Sequence, residues 1–109
     1  MARKYSDNPL ETYIENTVVK HAKKTGWKQR KLGWIGRHGA PDRVFFKGGV
    51  LLFVEFKQRG KKPTPNQEKE IGELRDEGML VFVIDNIEAG IALLDSYRSR
   101  NYRPTDDLI

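Results

Sequence analysis

The chain has 109 residues, 32% of them charged and 38% hydrophobic, with 20 Lys and Arg against 15 Asp and Glu and a net charge of +5. That is enough chain for one domain with one modest core, and 10% aromatic residues separate it from disordered compositions. There is no cysteine, which excludes disulfides, thiolate zinc sites and cysteine nucleophiles, and the only histidines, His21 and His38, exclude a multi-histidine metal cage.

Asn8 and Pro9 suit the N-cap and first position of a helix. Leu10, Tyr13, Ile14, Val18, His21 and Ala22 recur at helical spacing, and Gly26 suits the C-cap. The first helix is expected at about residues 9–25. Trp27 to Leu32 reads as a short, mostly polar strand. Gly33 to Pro41 is a glycine-rich loop. Asp42 to Lys47 is a strand, Gly48-Gly49 a two-residue turn, and Val50 to Lys57 an apolar and therefore central returning strand.

Gln58 to Pro63 is a basic loop. Thr64 as N-cap, Pro65 at the first position and Gln67 at the third start a second helix, which Gly78 stops. Met79 to Ile84 is another apolar strand. Ile87 to about Arg98 is a last helix, with Ile91, Leu94 and Tyr97 facing inward, and residues 99–109 form a tail. The order is helix-strand-strand-strand-helix-strand-helix. It predicts one α/β domain with a mixed sheet flanked by helices.

No stretch approaches the roughly 18 apolar residues of a membrane span, and the N-terminal residues lack the apolar segment of a secretory leader. A cytoplasmic protein is expected. The positive charge attracts polyanions, nucleic acid foremost.

The hairpin arithmetic carries the chemistry. With Gly48-Gly49 as the turn, Lys47 faces Val50, Val44 faces Phe53, and Asp42 faces Glu55 directly. Lys57 shares the face of Glu55. Opposed Cβ atoms in a sheet lie about 4.5–5.5 Å apart, so two carboxylates there must share a proton, find a cation or splay apart. A divalent cation with oxygen ligands, Mg²⁺, Mn²⁺ or Ca²⁺, resolves the repulsion, and Lys57 is placed to position a water. The plain alternative is a surface Glu55–Lys57 ion pair with Asp42 capping its loop.

Gly39-Ala40-Pro41-Asp42 followed by Glu55-Phe56-Lys57 resembles the signature of the restriction-endonuclease-like PD-(D/E)xK nucleases. The element order is also similar to their core. Gly-x-Pro-Asp-Arg, the Gly-Gly hairpin, Val-Glu-Phe-Lys and a glutamine after a basic loop resemble, more narrowly, the stand-alone VRR-NUC nucleases of phages and bacteria. The resemblance covers residues 8 to 95. It implies Asp42, Glu55 and the Phe56 carbonyl as metal ligands, Lys57 as the catalytic lysine, Gln67 as the flanking glutamine, and a first-helix glutamate near the metal. Glu15 is preferred over Glu11 for that last role. Gln67 also completes a capping box with Thr64.

Basic residues bracket this site. Lys28, Arg30 and Lys31 lie on the first strand, Arg37, His38 and Arg43 around Asp42, and Arg59, Lys61 and Lys62 after Lys57. They are expected to contact DNA phosphates without reading sequence. Trp34 either stacks on an exposed base or wedges into a junction, or it packs under its loop as a small satellite core. The expectation is a Mg²⁺- or Mn²⁺-dependent DNA endonuclease, structure-specific for four-way-junction-like or branched DNA, acting as a homodimer. The alternatives are a flap or nicking nuclease within a larger complex, and an inactive basic DNA-binding module.

Overall fold

Helix α1 (Glu11–Lys24) turns Ile14, Glu15, Val18, Val19 and Ala22 to the interior. The structure is a computed structural model that describes residues 10–97. The helix begins later than the sequence suggests, with Leu10 at the N-cap and no side-chain cap bond. Asn8 and Pro9 lie outside the described residues, as do residues 98–109 with the expected tail. The helix closes where expected: the Trp27 amide donates to the Ala22 carbonyl at 2.9 Å, and the Lys47 ammonium donates to the Thr25 carbonyl at 2.7 Å. Trp27 then enters the core, so its indole serves packing rather than the polar strand that follows it.

Four strands form one mixed sheet in the order β1 (Lys28–Lys31), β2 (Arg43–Lys47), β3 (Val50–Phe56), β4 (Val81–Ile84). The first two pairings are antiparallel and the third parallel. Lys47 pairs with Val50 and Val44 with Phe53, as the turn demands; both turn glycines have positive φ, 54° and 88°. The ladder stops one pair short of expectation, at Arg43–Val54. Asp42 and Lys57 therefore flank the strands rather than ending them.

Strand alternation divides the sheet faces. Phe45, Leu52, Val54 and Phe56 join α1 and α3 (Ile87–Ser96) in the main core. The opposite face carries Glu55 and Val83, and α2 (Pro65–Asp76) lies against it at β4. Helix α2 opens with the complete capping box: Thr64 Oγ1 accepts from the Gln67 amide at 3.2 Å, and Gln67 Oε1 accepts from the Thr64 amide at 2.9 Å. Helix α3 is capped by Asn86, whose Oδ1 accepts from the Ala89 amide, a cap the sequence reading passed over. Leu94 is buried as expected, whereas Ile91 and Tyr97 are half-buried.

The α1–α3 contact depends on Gly90. A Cβ there would lie 2.5 Å from Val18 Cγ2 and 3.4 Å from Ile84 Cγ2, both side chains of the buried core, so the packing would have to shift. Gly90→Ala is expected to destabilise the protein by about 2 kcal/mol, because overpacking outweighs the gain in helix propensity. Gly72→Ala, where a Cβ meets nothing within 4 Å, is expected to stabilise it by about 0.5–1 kcal/mol. Urea denaturation of the two variants checks the opposite signs.

Candidate active site

The site forms at the C-terminal end of β3, where β3 lies between an antiparallel and a parallel neighbour. Backbone pairing continues past the strand, since the Lys57 amide donates to the Ile84 carbonyl at 2.8 Å. Across the sheet the Leu32 amide donates to the Asp42 carbonyl at 3.0 Å, which fixes the start of β2. The Asp42 side chain turns back onto β3, and its Oδ2 accepts from the Phe56 amide at 2.6 Å. Asp42 is thus bonded to the β3 backbone just after Glu55 rather than paired with it in the ladder.

Glu55 is only 1% exposed, and Lys57 Nζ lies 3.3 Å from its Oε2. Burial, then the Asp42 charge, push the Glu55 carboxyl up to about 7, against the pull of Lys57. Burial also raises Asp42, partly offset by the Phe56 amide. A buried acid held against a second acid is costly for folding alone. The ion pair with Lys57 is buried, not the surface contact of the plain alternative.

The α1 acids divide the expected role. Glu15 is buried and accepts from Arg43 Nε at 2.5 Å, with Lys31 Nζ at 3.7 Å. Glu11, one turn earlier, is raised by burial and then by Asp42, and it also feels Lys57. Its field reaches Glu55 as well. Both acids therefore sit within the electrostatic reach of Asp42, but Glu15 is committed to Arg43.

The basic residues also separate. Arg43 is enclosed between Glu15 and the Gln29 side chain, so its guanidinium points inward rather than toward a polyanion. Arg37 pairs with Glu70 and lies 3.8 Å from Glu73. The half-buried Trp34 donates from Nε1 to Glu70 Oε1 at 2.8 Å, which favours packing under the loop over a free stacking face. His38, Arg59, Lys61 and Lys62 are exposed, as are Lys28, Arg30 and Lys31 on edge strand β1. The basic loop after Lys57 is held by Asp85, whose Oδ2 accepts from the Gly60 amide at 3.0 Å. Gln67 is half-buried at the α2 N-terminus with its amide oxygen in the capping box.

The donor set fits a hard divalent cation. Asp42 and Glu55 provide two anionic oxygens whose mutual repulsion such an ion would relieve, and the Phe56 carbonyl is adjacent in the chain. Among the described residues no group of three or more acidic or histidine side chains forms a full cage, so water and substrate oxygens would have to complete the coordination. Glu70, buried and doubly bonded, is the residue that sequence reasoning missed; nothing in its helical context separates it from the solvated acids around it.

A four-stranded mixed sheet with paired acids and a lysine at the end of its central strand defines the class of restriction-endonuclease-like α/β domains. No family model matches the chain. Over 77 residues it is 40% identical to "Putative nuclease p44" of Acyrthosiphon pisum secondary endosymbiont phage 1, an alignment spanning 70% of this chain and 83% of that protein. A solved structure described as a VRR-NUC domain matches with a TM-score of 0.75 and 32% identity, covering 81% of this chain and 97% of the other. A second VRR-NUC structure matches in fold, with a TM-score of 0.69 and 23% identity over 81% of this chain and 87% of that one. The chain belongs to the VRR-NUC nuclease family.

Proposed function

We propose that this chain is a single-domain, metal-dependent DNA endonuclease that hydrolyses phosphodiester bonds in branched or junction-like DNA. The observation that carries this reading is the buried Glu55, paired with Lys57 and lying in the field of Asp42. Such an arrangement weakens folding and serves chemistry instead.

Asp42, Glu55 and the Phe56 carbonyl would hold Mg²⁺ or Mn²⁺. When bound, the ion would supply Lewis-acid stabilisation of the charge developing on the scissile phosphate. Lys57, fixed against Glu55, orients the attacking water and offsets the same charge. Glu15 holds the side chain of Arg43, the residue that follows Asp42. Gln67 flanks the site at a capped helix N-terminus, a favourable end for phosphate. Arg37, His38, Arg59, Lys61 and Lys62, all exposed, contact the phosphodiester backbone, with the more enclosed Arg43 and Trp34 supporting the surface from behind.

So small a domain reads DNA shape rather than sequence, and cutting two strands of a junction calls for two sites, hence a homodimer. The proposed place of action is inside a bacterial or phage-infected cell; no helix among the described residues is long and apolar enough to cross a membrane.

The test is cleavage of labelled four-way junction, flap, single-stranded and linear duplex DNA with Mg²⁺, Mn²⁺ or EDTA. Wild type is expected to cut junctions preferentially, only with metal. Lys57→Ala is expected to lose 10³-fold or more, in line with removal of a group that acts on the transition state. Preferential flap cleavage by a monomer, seen by light scattering, would favour the nicking reading. Tight, salt-sensitive binding without cutting, and without a calorimetric Mn²⁺ site that Asp42→Asn removes, would leave a DNA-binding module.

A further inference from the structure

Ile35 is 102% exposed, the most exposed of the large apolar side chains described. It stands in the loop between β1 and β2. That loop is closed at its base, where Lys31 pairs with Arg43 and the Leu32 amide donates to the Asp42 carbonyl. The loop therefore springs from the end of the sheet that carries Asp42, Glu55 and Lys57.

The residues around Ile35 are tied down. Trp34 on one side donates to Glu70 at 2.8 Å. Arg37 on the other side donates to the second oxygen of the same carboxylate and also faces Glu73. Gly39 lies so close to α2 that a Cβ there would stand 2.8 Å from Glu70 Cγ and 3.1 Å from the Asn66 carbonyl, and its φ of +93° excludes most side chains as well. The buried Glu70 is the common mount, gripping the loop before and after its tip.

A fully exposed isoleucine on a slack loop would be unremarkable surface. On a loop pinned at three points it is an apolar probe held in one position, so its ordering entropy is spent before any partner arrives. The surrounding charge selects the partner. His38 on the same loop, Lys28, Arg30 and Lys31 on the edge strand, and Arg59, Lys61 and Lys62 beyond Lys57 are all exposed. The acids of the loop mount face Arg37 and Trp34. An apolar tip within a basic field suits a duplex whose base steps can be opened: the phosphates meet the cations, and the side chain enters between bases.

We infer that Ile35 is a wedge that inserts between base steps beside the scissile phosphate and confers the preference for branched, easily unstacked DNA. The inference rests on the endonuclease reading and extends it to a specificity-determining residue. Opening a step is cheapest at a branch or distortion, where stacking is already interrupted, so a wedge favours those sites over continuous duplex.

The experiment uses four-way junction and linear duplex carrying 2-aminopurine, whose fluorescence rises on unstacking. Wild type, Ile35→Met, Ile35→Ala and Ile35→Ser are compared in EDTA for fluorescence and in Mg²⁺ or Mn²⁺ for cleavage. Wild type and Ile35→Met are expected to raise the junction signal several-fold. Ile35→Ala and Ile35→Ser are expected to leave it flat and to lower the junction-over-duplex cleavage ratio about tenfold. An equal fluorescence rise with Ile35→Ala, or none with wild type, overturns the wedge even when cleavage is intact. A dimer that becomes monomeric in Ile35→Ser with unstacking unchanged assigns the tip to a subunit contact and also overturns it. Unstacking by wild type without cleavage of any DNA supports the wedge and overturns the nuclease. Absence of DNA binding by wild type overturns both.

Discussion

Glu55→Gln is expected to abolish DNA cleavage and, at pH 8 without metal, to make the protein more stable. Both effects come from one placement. The carboxyl is buried beside Asp42 and raised to about 7 from the ordinary glutamate value of 4.5. The folded state therefore holds a proton more tightly than the unfolded chain. Stability from this group is fully present below about pH 4.5 and is lost as pH rises through about 7. The loss amounts to about 3 kcal/mol by pH 8. Asp42 and Glu11 are raised by burial as well and act in the same direction.

The amide of Glu55→Gln keeps the shape without the charge, so the variant and wild type should match at pH 4 and diverge by pH 8. Added Mg²⁺ should close that gap by stabilising wild type, because a ligand of the folded state shifts unfolding by mass action. Urea denaturation from pH 4 to 8, with and without Mg²⁺, checks this. A wild type whose stability rises across that range would show that the acids are not compressed as described. Cleavage retained by Glu55→Gln would remove it from the proposed ion site.

Arg43→Ala is expected to destabilise the protein by about 3 kcal/mol. The guanidinium lies between Glu15 and Gln29, and Glu15 would be left buried with only Lys31 at 3.7 Å. Removing one partner of a buried pair strands the other charge, which costs more than the pair itself contributes. Glu15→Gln keeps a hydrogen-bonding oxygen for Arg43 and should cost less than half as much. A double-mutant cycle between positions 15 and 43 should give a coupling above about 1 kcal/mol. A cost below 1 kcal/mol for Arg43→Ala, together with a weaker salt dependence of DNA binding, would instead return Arg43 to the phosphate-contacting role its neighbours suggest.

The sequence marked the elements through short-range signals. The glycine pair fixed the β2–β3 register, and Thr64 with Gln67 fixed the start of α2. Because side chains alternate with a period of two, that register already brought Asp42, Glu55 and Lys57 to one end of a hairpin. It also erred by one pair, since a ladder says nothing of where a strand end bends away. Asp42 left the strand to accept from the Phe56 amide.

The long side chains were beyond this kind of reading. Arg43 and the nearby Arg37 look alike in the chain, but one is enclosed by an acid 28 positions earlier and the other is gripped by an acid 33 positions later. Glu11 and Glu15 share a helix face, and only the packing of α1 over the sheet gave one to Arg43 and left the other in the field of Asp42. Local pattern determines backbone course and the face each residue occupies, because those depend on neighbours a few positions away. Which charge meets which is decided across the gaps between elements distant in sequence, where burial sets the strength of every contact. The sequence by itself therefore determined the α/β order and the placing of Asp42, Glu55 and Lys57 at one end of the β2–β3 hairpin. Only the tertiary structure buried Glu55, turned Arg43 inward and raised Ile35 on its Glu70 mount.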